Sequence, residues 1–286
     1  MLSFVVAPVS FSPQMVVPSA PTRAVAPRML EIEGPKPWVG STEISDKAGM
    51  VALAEKLNPV IGFWDPLNIV NADTRPETIG WFRHAEIKHG RVAMAAFVGY
   101  CIQSNGIYLP WNLQGPVTGT LANTPIISHA TISAAGGPAD QWDALPTPAK
   151  LQILGFIGFL EMWSETSTVL EMDGQKHYVR GGKPGYFPSL KGKFPHPVPL
   201  NLFDPFGFSA KMTPERKEKG LITEINNGRL AMIGIMGFVA EAKVPGSVPG
   251  LDSLNIKPYA GEVMAPFAAG DVELPMVKEM LANSIF

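Results

Sequence analysis

A nine-residue motif occurs twice in this chain and carries most of its possible chemistry. Residues 86–94 read EIKHGRVAM and residues 224–232 read EINNGRLAM, so six of the nine positions are identical. Each copy holds a carboxylate, an imidazole or amide, and a guanidinium, groups that can ligate metals or form ion pairs. The sequence shows no nucleophile–base arrangement, so we do not expect an enzyme.

The charges of the motif point to two crossing helices. Within one helix the Glu and Arg are five residues apart and point about 140° away from each other, so they cannot pair well. Gly90 and Gly228, in the middle of each copy, let two backbones approach closely. We therefore expect reciprocal ion pairs between the copies: Glu86 with Arg229, and Glu224 with Arg91.

The remaining polar groups of the motif suit a metal that is already partly ligated. Glu86 and His89 are three residues apart and share a helix face, as do Glu224 and Asn227. A bare ion needs several converging ligands, whereas here single ligands are spread along a helix. This arrangement suits a metal that brings its own equatorial ligands, as in a tetrapyrrole.

The distribution of proline shows which elements position these residues. The chain contains 28 Gly and 28 Pro, yet the windows 77–103, 149–172 and 215–242 contain no proline. A hydroxyl residue suited to cap a helix stands before each window, at Thr74, Thr147 and Thr213. The sequence therefore predicts three long helices joined by Pro/Gly-rich connections.

Membrane location is indicated by charge more than by hydropathy. The windows would give helices of about 36–42 Å, enough to cross a ~30 Å hydrocarbon layer. Their uncharged apolar stretches are only ten or eleven residues long, which by itself favours a soluble helical protein. However, residues 104–146 contain no Lys or Arg and residues 173–212 contain six, an asymmetry typical of the two sides of a membrane.

Composition excludes other classes. With 23 Lys+Arg against 25 Asp+Glu, the net charge is -2, so nucleic acid is not an expected partner. Cys101 is the single cysteine, which excludes an internal disulfide framework, and no His/Cys cluster has the spacing of a zinc site.

A second repeated element makes a family resemblance specific. An aromatic-Asp-Pro turn precedes each motif, FWDPLN at 63–68 and LFDPFG at 202–207. This doubled unit with a third helix between its copies resembles the light-harvesting chlorophyll-binding protein superfamily. Residues 81–86 and 151–165 resemble its chlorophyll a/c carotenoid-binding antenna proteins, of fucoxanthin or peridinin type, from algae with secondary plastids. The resemblance implies an all-α membrane protein with three transmembrane helices, the first and third related by a pseudo-two-fold axis, long Pro/Gly-rich loops and short amphipathic helices.

The resemblance also assigns roles to individual residues, with chlorophyll magnesium as the only metal. The implied chlorophyll ligands are Glu86, His89, Glu224, Asn227, Gln152, Glu161 and Glu241. Glu241 stands where the family usually has glutamine, and Gly99 would leave room for a water-bridged pigment. Arg91 and Arg229 would close the ion pairs. The turns at Asp65-Pro66 and Asp204-Pro205 would hold the ends of two carotenoids.

The implied function is a light-harvesting antenna in the plastid thylakoid membrane, with the N-terminus on the stromal side. It would bind chlorophyll a, chlorophyll c and carotenoids of the peridinin, fucoxanthin or diadinoxanthin type. Its partners would be a photosystem core, neighbouring antenna subunits and thylakoid lipids. A photoprotective, energy-dissipating member of the same superfamily is one alternative, and a small membrane transporter is a more distant one.

Four segments follow from these assignments. The first 29 residues have no acidic residue, two Arg, four Ser and five Pro, a composition that resembles a plastid-targeting segment or a disordered N-terminus. The expected segments are 1–29 for this terminus, 30–62 for an N-terminal surface segment, 63–245 for the three-helix chlorophyll-binding domain, and 246–286 for a C-terminal tail.

Overall fold

The computed structural model describes residues 43–114, 126–193, 204–263, 265–271, 274 and 276–282. The expected terminal segment 1–29 and residues 30–42 of the expected segment 30–62 lie outside these ranges. The described chain is helical: α1 Lys47–Leu57, α2 Pro76–Ser104, α3 His129–Ser133, α4 Pro138–Asp143, α5 Thr147–Glu165, α6 Ser167–Met172, α7 Pro214–Lys243 and α8 Val277–Ala282. One small antiparallel pair joins β1 Asn112–Gln114 to β2 Ile127–Ser128.

The three longest helices fall in the windows without proline, but the second window is interrupted. α5 ends at Glu165, and Thr166 is extended at φ -67° and ψ 122° before α6 begins. The Thr166 hydroxyl donates to the Met162 carbonyl at 2.6 Å, so the side chain competes for a carbonyl in the last turn. The prediction of one helix over 149–172 was therefore wrong at its C-terminal end.

Two of the three threonines that were expected to cap helices do not do so. Thr213 caps α7, because its hydroxyl accepts the Arg216 N–H at 3.4 Å. Thr74 instead accepts the Asn71 N–H at 2.9 Å, and α2 begins after Arg75 without a side-chain cap. Thr147 lies inside α5, where its hydroxyl donates to Asp271. Thr74 makes a local loop contact and Thr147 makes a long-range contact, so neither hydroxyl group caps a helix.

α2 and α7 form the central packed pair. They cross at Gly90 and Gly228, where a Cβ on Gly90 would lie 3.0 Å from the Gly228 Cα. Further along, the rings of Phe97 and Tyr100 stack on Phe238 at centroid distances of 5.1 and 5.2 Å. The close backbone approach at the glycines and the stacked rings fix the crossing of the two helices.

α5 presents an apolar surface that other described residues do not cover. Phe156, Ile157 and Met162 are 58%, 50% and 74% exposed. α7 has the same character on its outer side, with Leu230 and Ile233 both at least 70% exposed. These apolar surfaces extend further than the single exposed apolar side chains that are usual on a soluble protein. We therefore expect another molecule to cover them.

Hydropathy does not identify membrane spans. Over the part of the chain that the structure describes, none of the helices is both long enough and apolar enough to cross a membrane. The three transmembrane helices implied by the resemblance are therefore not confirmed.

The described C-terminal segment folds back onto the start of α5. Lys150 is fully buried and lies 2.6 Å from Asp271, which is 4% exposed. Nearby, the Tyr259 hydroxyl donates to Asp143 at 2.8 Å, and the Trp142 indole donates to the Pro266 carbonyl at 2.9 Å. This segment is thus attached to the helical unit by one buried ion pair and two part-buried hydrogen bonds.

Candidate functional site

Two reciprocal ion pairs join α2 and α7 on either side of the glycine crossing. Arg91 Nε donates to Glu224 Oε1 at 2.5 Å, and Arg229 Nε donates to Glu86 Oε1 at 2.6 Å. These are the partners that the five-residue spacing predicts. Because each charge meets its opposite across the crossing, the pair of helices carries four ionised groups without net charge.

The carboxylates of these pairs keep one oxygen for another partner. The Glu86 and Glu224 side chains are 31% and 27% exposed, and each uses Oε1 for its arginine. Within the described ranges, no hydrogen bond reaches Oε2 of either residue. Each glutamate therefore offers one oxygen as a single ligand while its charge is already balanced.

A backbone contact orients His89 and favours the tautomer that a metal ligand requires. Its Nδ1 lies 2.8 Å from the Ala85 carbonyl oxygen, which can only accept, so Nδ1 carries the proton. Nε2 then holds the lone pair, and the side chain is exposed. A hydrogen bond that fixes the tautomer in this way is typical of metal-ligating histidines. Asn227, at the matching position of α7, is also exposed.

The two aromatic-Asp-Pro turns have the same geometry. Asp65 accepts the N–H groups of Ile69 and Val70 at 3.0 and 2.9 Å, and these bonds lower the pKa of its carboxyl group. Asp204 likewise accepts two backbone N–H groups at 2.8 Å, from Phe208 and Ser209. The third residue after each Asp has positive φ, 49° at Asn68 and 70° at Gly207. The two turns are therefore repeated in backbone structure as well as in sequence.

These turns also present exposed apolar side chains. Trp64 and Leu67 are 76% and 78% exposed at the first turn, and Phe206 and Phe208 are 75% and 63% exposed at the second. Exposed apolar side chains of this size are typical of a surface that contacts another apolar molecule.

The other predicted ligands differ in accessibility. Gln152 and Glu161 of α5 are exposed, and an added Cβ at Gly99 would meet no atom within 4 Å. Glu241 is 5% exposed, and its two oxygens accept the N–H groups of Gly246 and Val248 at 2.6 and 2.9 Å. The structure thus places Gln152, Glu161 and Gly99 at open surfaces, whereas Glu241 holds the loop that follows α7.

The structure also contains a buried histidine, His84, that no sequence motif singles out. His84 is 5% exposed, its Nδ1 accepts the Gly185 N–H at 3.0 Å, and its ring stacks on Tyr178 at 3.8 Å. Arg91 also donates to the Gly185 carbonyl, at 2.6 Å. Gly185 has φ of 72°, and a Cβ there would lie 2.6 Å from Ile87 Cγ2. The contact between Arg91 and Gly185 joins residues that are 94 positions apart in the sequence. The glycine at position 185 is the one sequence signal for this contact, and no pattern links it to Arg91.

The donor set fits a metal with its own equatorial ligands. Among the residues that the structure describes, no group of three or more His, Cys, Asp or Glu could hold a bare metal ion. The candidate ligands are single atoms on open helix faces, namely His89 Nε2 and the second oxygens of Glu86 and Glu224. One axial ligand from each side chain is what the magnesium of a chlorophyll requires.

Comparison with known proteins identifies the family of this chain. The family model described as chlorophyll A-B binding protein matches residues 51–243. The fucoxanthin-chlorophyll a-c binding protein of Trieres chinensis is 32% identical over 191 residues, covering 67% of this chain and 78% of that protein. Protein D of the same description from Macrocystis pyrifera is 32% identical over 200 residues, covering 70% and 85%. Protein F from Phaeodactylum tricornutum is 32% identical over 188 residues, covering 65% and 76%. This chain belongs to the chlorophyll A-B binding protein family.

Proposed function

We propose that this protein is a light-harvesting antenna of the plastid that binds chlorophylls and carotenoids and passes excitation energy to a photosystem. One observation carries the proposal. Along α2 and α7, the charges of the repeated motif cancel across the crossing, while a second ligand atom on each glutamate and His89 Nε2 remain open. If the two helices were paired only to stabilise the fold, the motif would not need exposed, oriented ligand atoms.

The same geometry supports the following ligand roles. Glu86, His89, Glu224 and Asn227 would each hold one chlorophyll through its magnesium, and Gln152 and Glu161 would do so on the middle helix. Gly99 leaves room for a pigment reached through water. Glu241 is set apart from this group, because both of its oxygens already accept backbone N–H groups. The magnesium and the absorbing ring come with the pigment, so the protein sets position, orientation and local charge.

The pigments proposed are chlorophyll a, chlorophyll c and a carotenoid. The relatives described above are fucoxanthin-chlorophyll a-c binding proteins, which favours fucoxanthin over the peridinin and diadinoxanthin types. The turns at Asp65-Pro66 and Asp204-Pro205 would each hold one end of a carotenoid, with their exposed aromatic and aliphatic side chains against its polyene chain.

A thylakoid membrane location is part of the proposal. An unpaired charge near the centre of a bilayer costs roughly 2.5–3.5 kcal/mol, and the reciprocal pairs offset part of that cost. Pigment rings and tails, together with lipid, would cover the exposed apolar side chains of α5 and α7. α2, α5 and α7 would then cross the membrane, with the N-terminus and the basic segment 173–212 on the stromal side.

The activity requires no chemical step. We propose that the protein is not an enzyme, and that its partners are a photosystem core, neighbouring antenna subunits and thylakoid lipids, and not nucleic acid. Fixed distances and orientations between pigments are sufficient for excitation to move from carotenoid to chlorophyll and then to a neighbour.

Reconstitution tests the function. The full chain is refolded in detergent with chlorophylls a and c and fucoxanthin, and its chlorophyll fluorescence excitation spectrum is recorded. We expect a fucoxanthin band in that spectrum, because excitation passes from the carotenoid to chlorophyll. A colourless product, or bound pigments without this transfer, contradicts the proposal. A short fluorescence lifetime in the isolated protein would favour the energy-dissipating alternative.

A further inference from the structure

Lys88 breaks the symmetry of the two motifs. It lies beside His89 in the first copy, where the second copy has Asn226. Asn226 donates to the Leu57 carbonyl of α1 at 3.0 Å. Lys88 instead reaches the middle helix, where its Nζ donates to Glu161 Oε2 and, at 3.3 Å, to Glu165 Oε1.

We propose that Lys88 supplies the counter-charge for a chlorophyll ligand on α5, Glu161, so that α2 and α5 build this pigment site together. The inference rests on the proposed function. It assigns to Lys88 a role that neither the repeated motif nor the position of Glu161 on its own helix indicates.

The Lys88–Glu161 contact has the same form as the two central pairs. In each central pair a cation binds one carboxylate oxygen and leaves the other open. Lys88 binds Oε2 of Glu161, and none of the described residues donates a hydrogen bond to Oε1. The Glu161 side chain is 54% exposed, so this oxygen is accessible to a pigment. A carboxylate ligand in an apolar environment needs such a cation to offset its charge.

α5 itself has no other cation close enough for this task. The single Lys or Arg in the α5 sequence is Lys150, which lies eleven residues from Glu161, about 16 Å along the helix. Lys150 is also buried against Asp271. The counter-charge of Glu161 must therefore come from another helix, and Lys88 is in contact.

Glu165 is distinguished from Glu161 by its surroundings. Besides Lys88, its carboxylate faces two imidazoles, with His84 Nε2 3.8 Å from Oε1 and His177 Nε2 3.9 Å from Oε2. Both oxygens thus face groups of the protein. Glu165 holds Lys88 in place, and Glu161 is the ligand.

The test uses charge removal and its compensation. We expect Lys88→Met to lose one chlorophyll per chain on reconstitution, because Glu161 becomes an uncompensated charge, whereas Lys88→Arg keeps it. The double variant Lys88→Met/Glu161→Gln is expected to regain that chlorophyll, since an amide oxygen can ligate magnesium without a counter-charge. Arg83→Met is the matched control: it removes a cation of the same helix that pairs with Glu43 at 2.8 Å, and it should keep every chlorophyll.

The double variant separates a charge role from a mechanical one. If Lys88 only ties α2 to α5, the double variant loses the tie as well and does not regain the pigment. Full chlorophyll content in Lys88→Met, or a double variant that stays depleted or fails to fold, overturns the inference. In either case a pigmented unmutated chain leaves the proposed function intact, whereas an unmutated chain that binds no chlorophyll contradicts the function itself.

Discussion

Gly90 and Gly228 face each other at the crossing of α2 and α7, so closely that a Cβ on Gly228 would lie 2.9 Å from the Gly90 Cα. The obstacle is backbone, which cannot rotate away as a side chain can. The ion pairs on either side are formed at this separation, so the glycines help to set the distance across which the arginines reach the opposite glutamates.

We therefore expect Gly228→Ala to force the helices apart and to destabilise the pigmented protein by about 1–3 kcal/mol. Thermal unfolding followed by the chlorophyll circular dichroism measures the effect. Gly220→Ala is the control on the same helix, because a Cβ there meets no atom within 4 Å. It should be neutral or slightly stabilising, since alanine favours a helix by up to about 1 kcal/mol over glycine. Equal effects of the two substitutions would contradict the role assigned to the crossing.

His89→Leu should remove one chlorophyll, because it deletes the only group at that position with a free lone pair. His89→Asn should retain the pigment in part, as the second copy of the motif has Asn227 at the equivalent position. The chlorophyll-to-protein ratio after reconstitution provides the measurement. His129→Leu is a suitable control, since its Nδ1 also contacts a carbonyl, that of Trp111 at 2.7 Å, outside the motif. Loss of pigment from the control but not from His89→Leu would reverse the assignment.

Asp204→Ala should lower the carotenoid-to-chlorophyll ratio, because the turn loses both backbone N–H contacts that shape it. Asp65→Ala should have the same effect through the equivalent turn. Pigment extraction and chromatography measure the ratio. Asp73→Ala, an exposed residue of the first loop, serves as the control and should leave the ratio unchanged. An unchanged ratio in both turn variants would show that the turns do not hold carotenoids.

The buried pair between Lys150 and Asp271 should fix the C-terminal segment to α5. Asp271→Asn leaves Lys150 without its counter-charge, and breaking such a pair typically costs about 3–5 kcal/mol. The double variant Lys150→Met/Asp271→Leu should recover much of the stability, because apolar residues replace both charges. The unfolding temperatures of the unmutated protein, Asp271→Asn and the double variant measure these effects. A double variant no more stable than Asp271→Asn would show that the charges themselves are required.

The stabilisation from the Lys150–Asp271 pair should be lost in acid and should stay constant near neutral pH. Burial raises the pKa of Asp271, but the hydrogen bonds from Lys150, Thr147 and the Ala268 N–H outweigh it and lower the pKa below its usual value. A lowered pKa means that the stabilisation is complete above the unfolded value of about 3.9 and is lost as pH falls through the folded value. Amide protection factors of residues 251–271 should therefore stay constant between pH 8 and 5 and fall in stronger acid. A decrease between pH 7 and 5 would contradict this.

The repeated motif made much of the central pair predictable. Identical residues at equal spacing can be compared directly, and the five-residue separation of Glu and Arg allows a pair only between helices. The proline-free windows located α2 and α7 to within a residue or two, because proline is excluded from helix interiors. In the middle window Ser164 and Thr166 were not recognised as a break, although their hydroxyl groups donate to backbone carbonyls of the preceding turn.

Long-range contacts without repetition could not be predicted. Nothing near Lys88 indicates that it reaches α5, and nothing near Lys150 indicates a partner more than a hundred residues away. The burial of His84 depends on Tyr178 and Gly185, from a loop with no helical or strand period. Such contacts depend on the tertiary arrangement of the helices, which single-sequence patterns do not contain.

The chlorophyll content of the full chain and of Glu86→Ala, measured after identical reconstitution, tests the central claim most directly. Glu86 provides both a proposed magnesium ligand and one half of an ion pair with Arg229. The account predicts a chlorophyll-bearing unmutated protein and a variant that lacks at least one chlorophyll and unfolds at a lower temperature. A variant with the full chlorophyll content and unchanged unfolding would contradict the account.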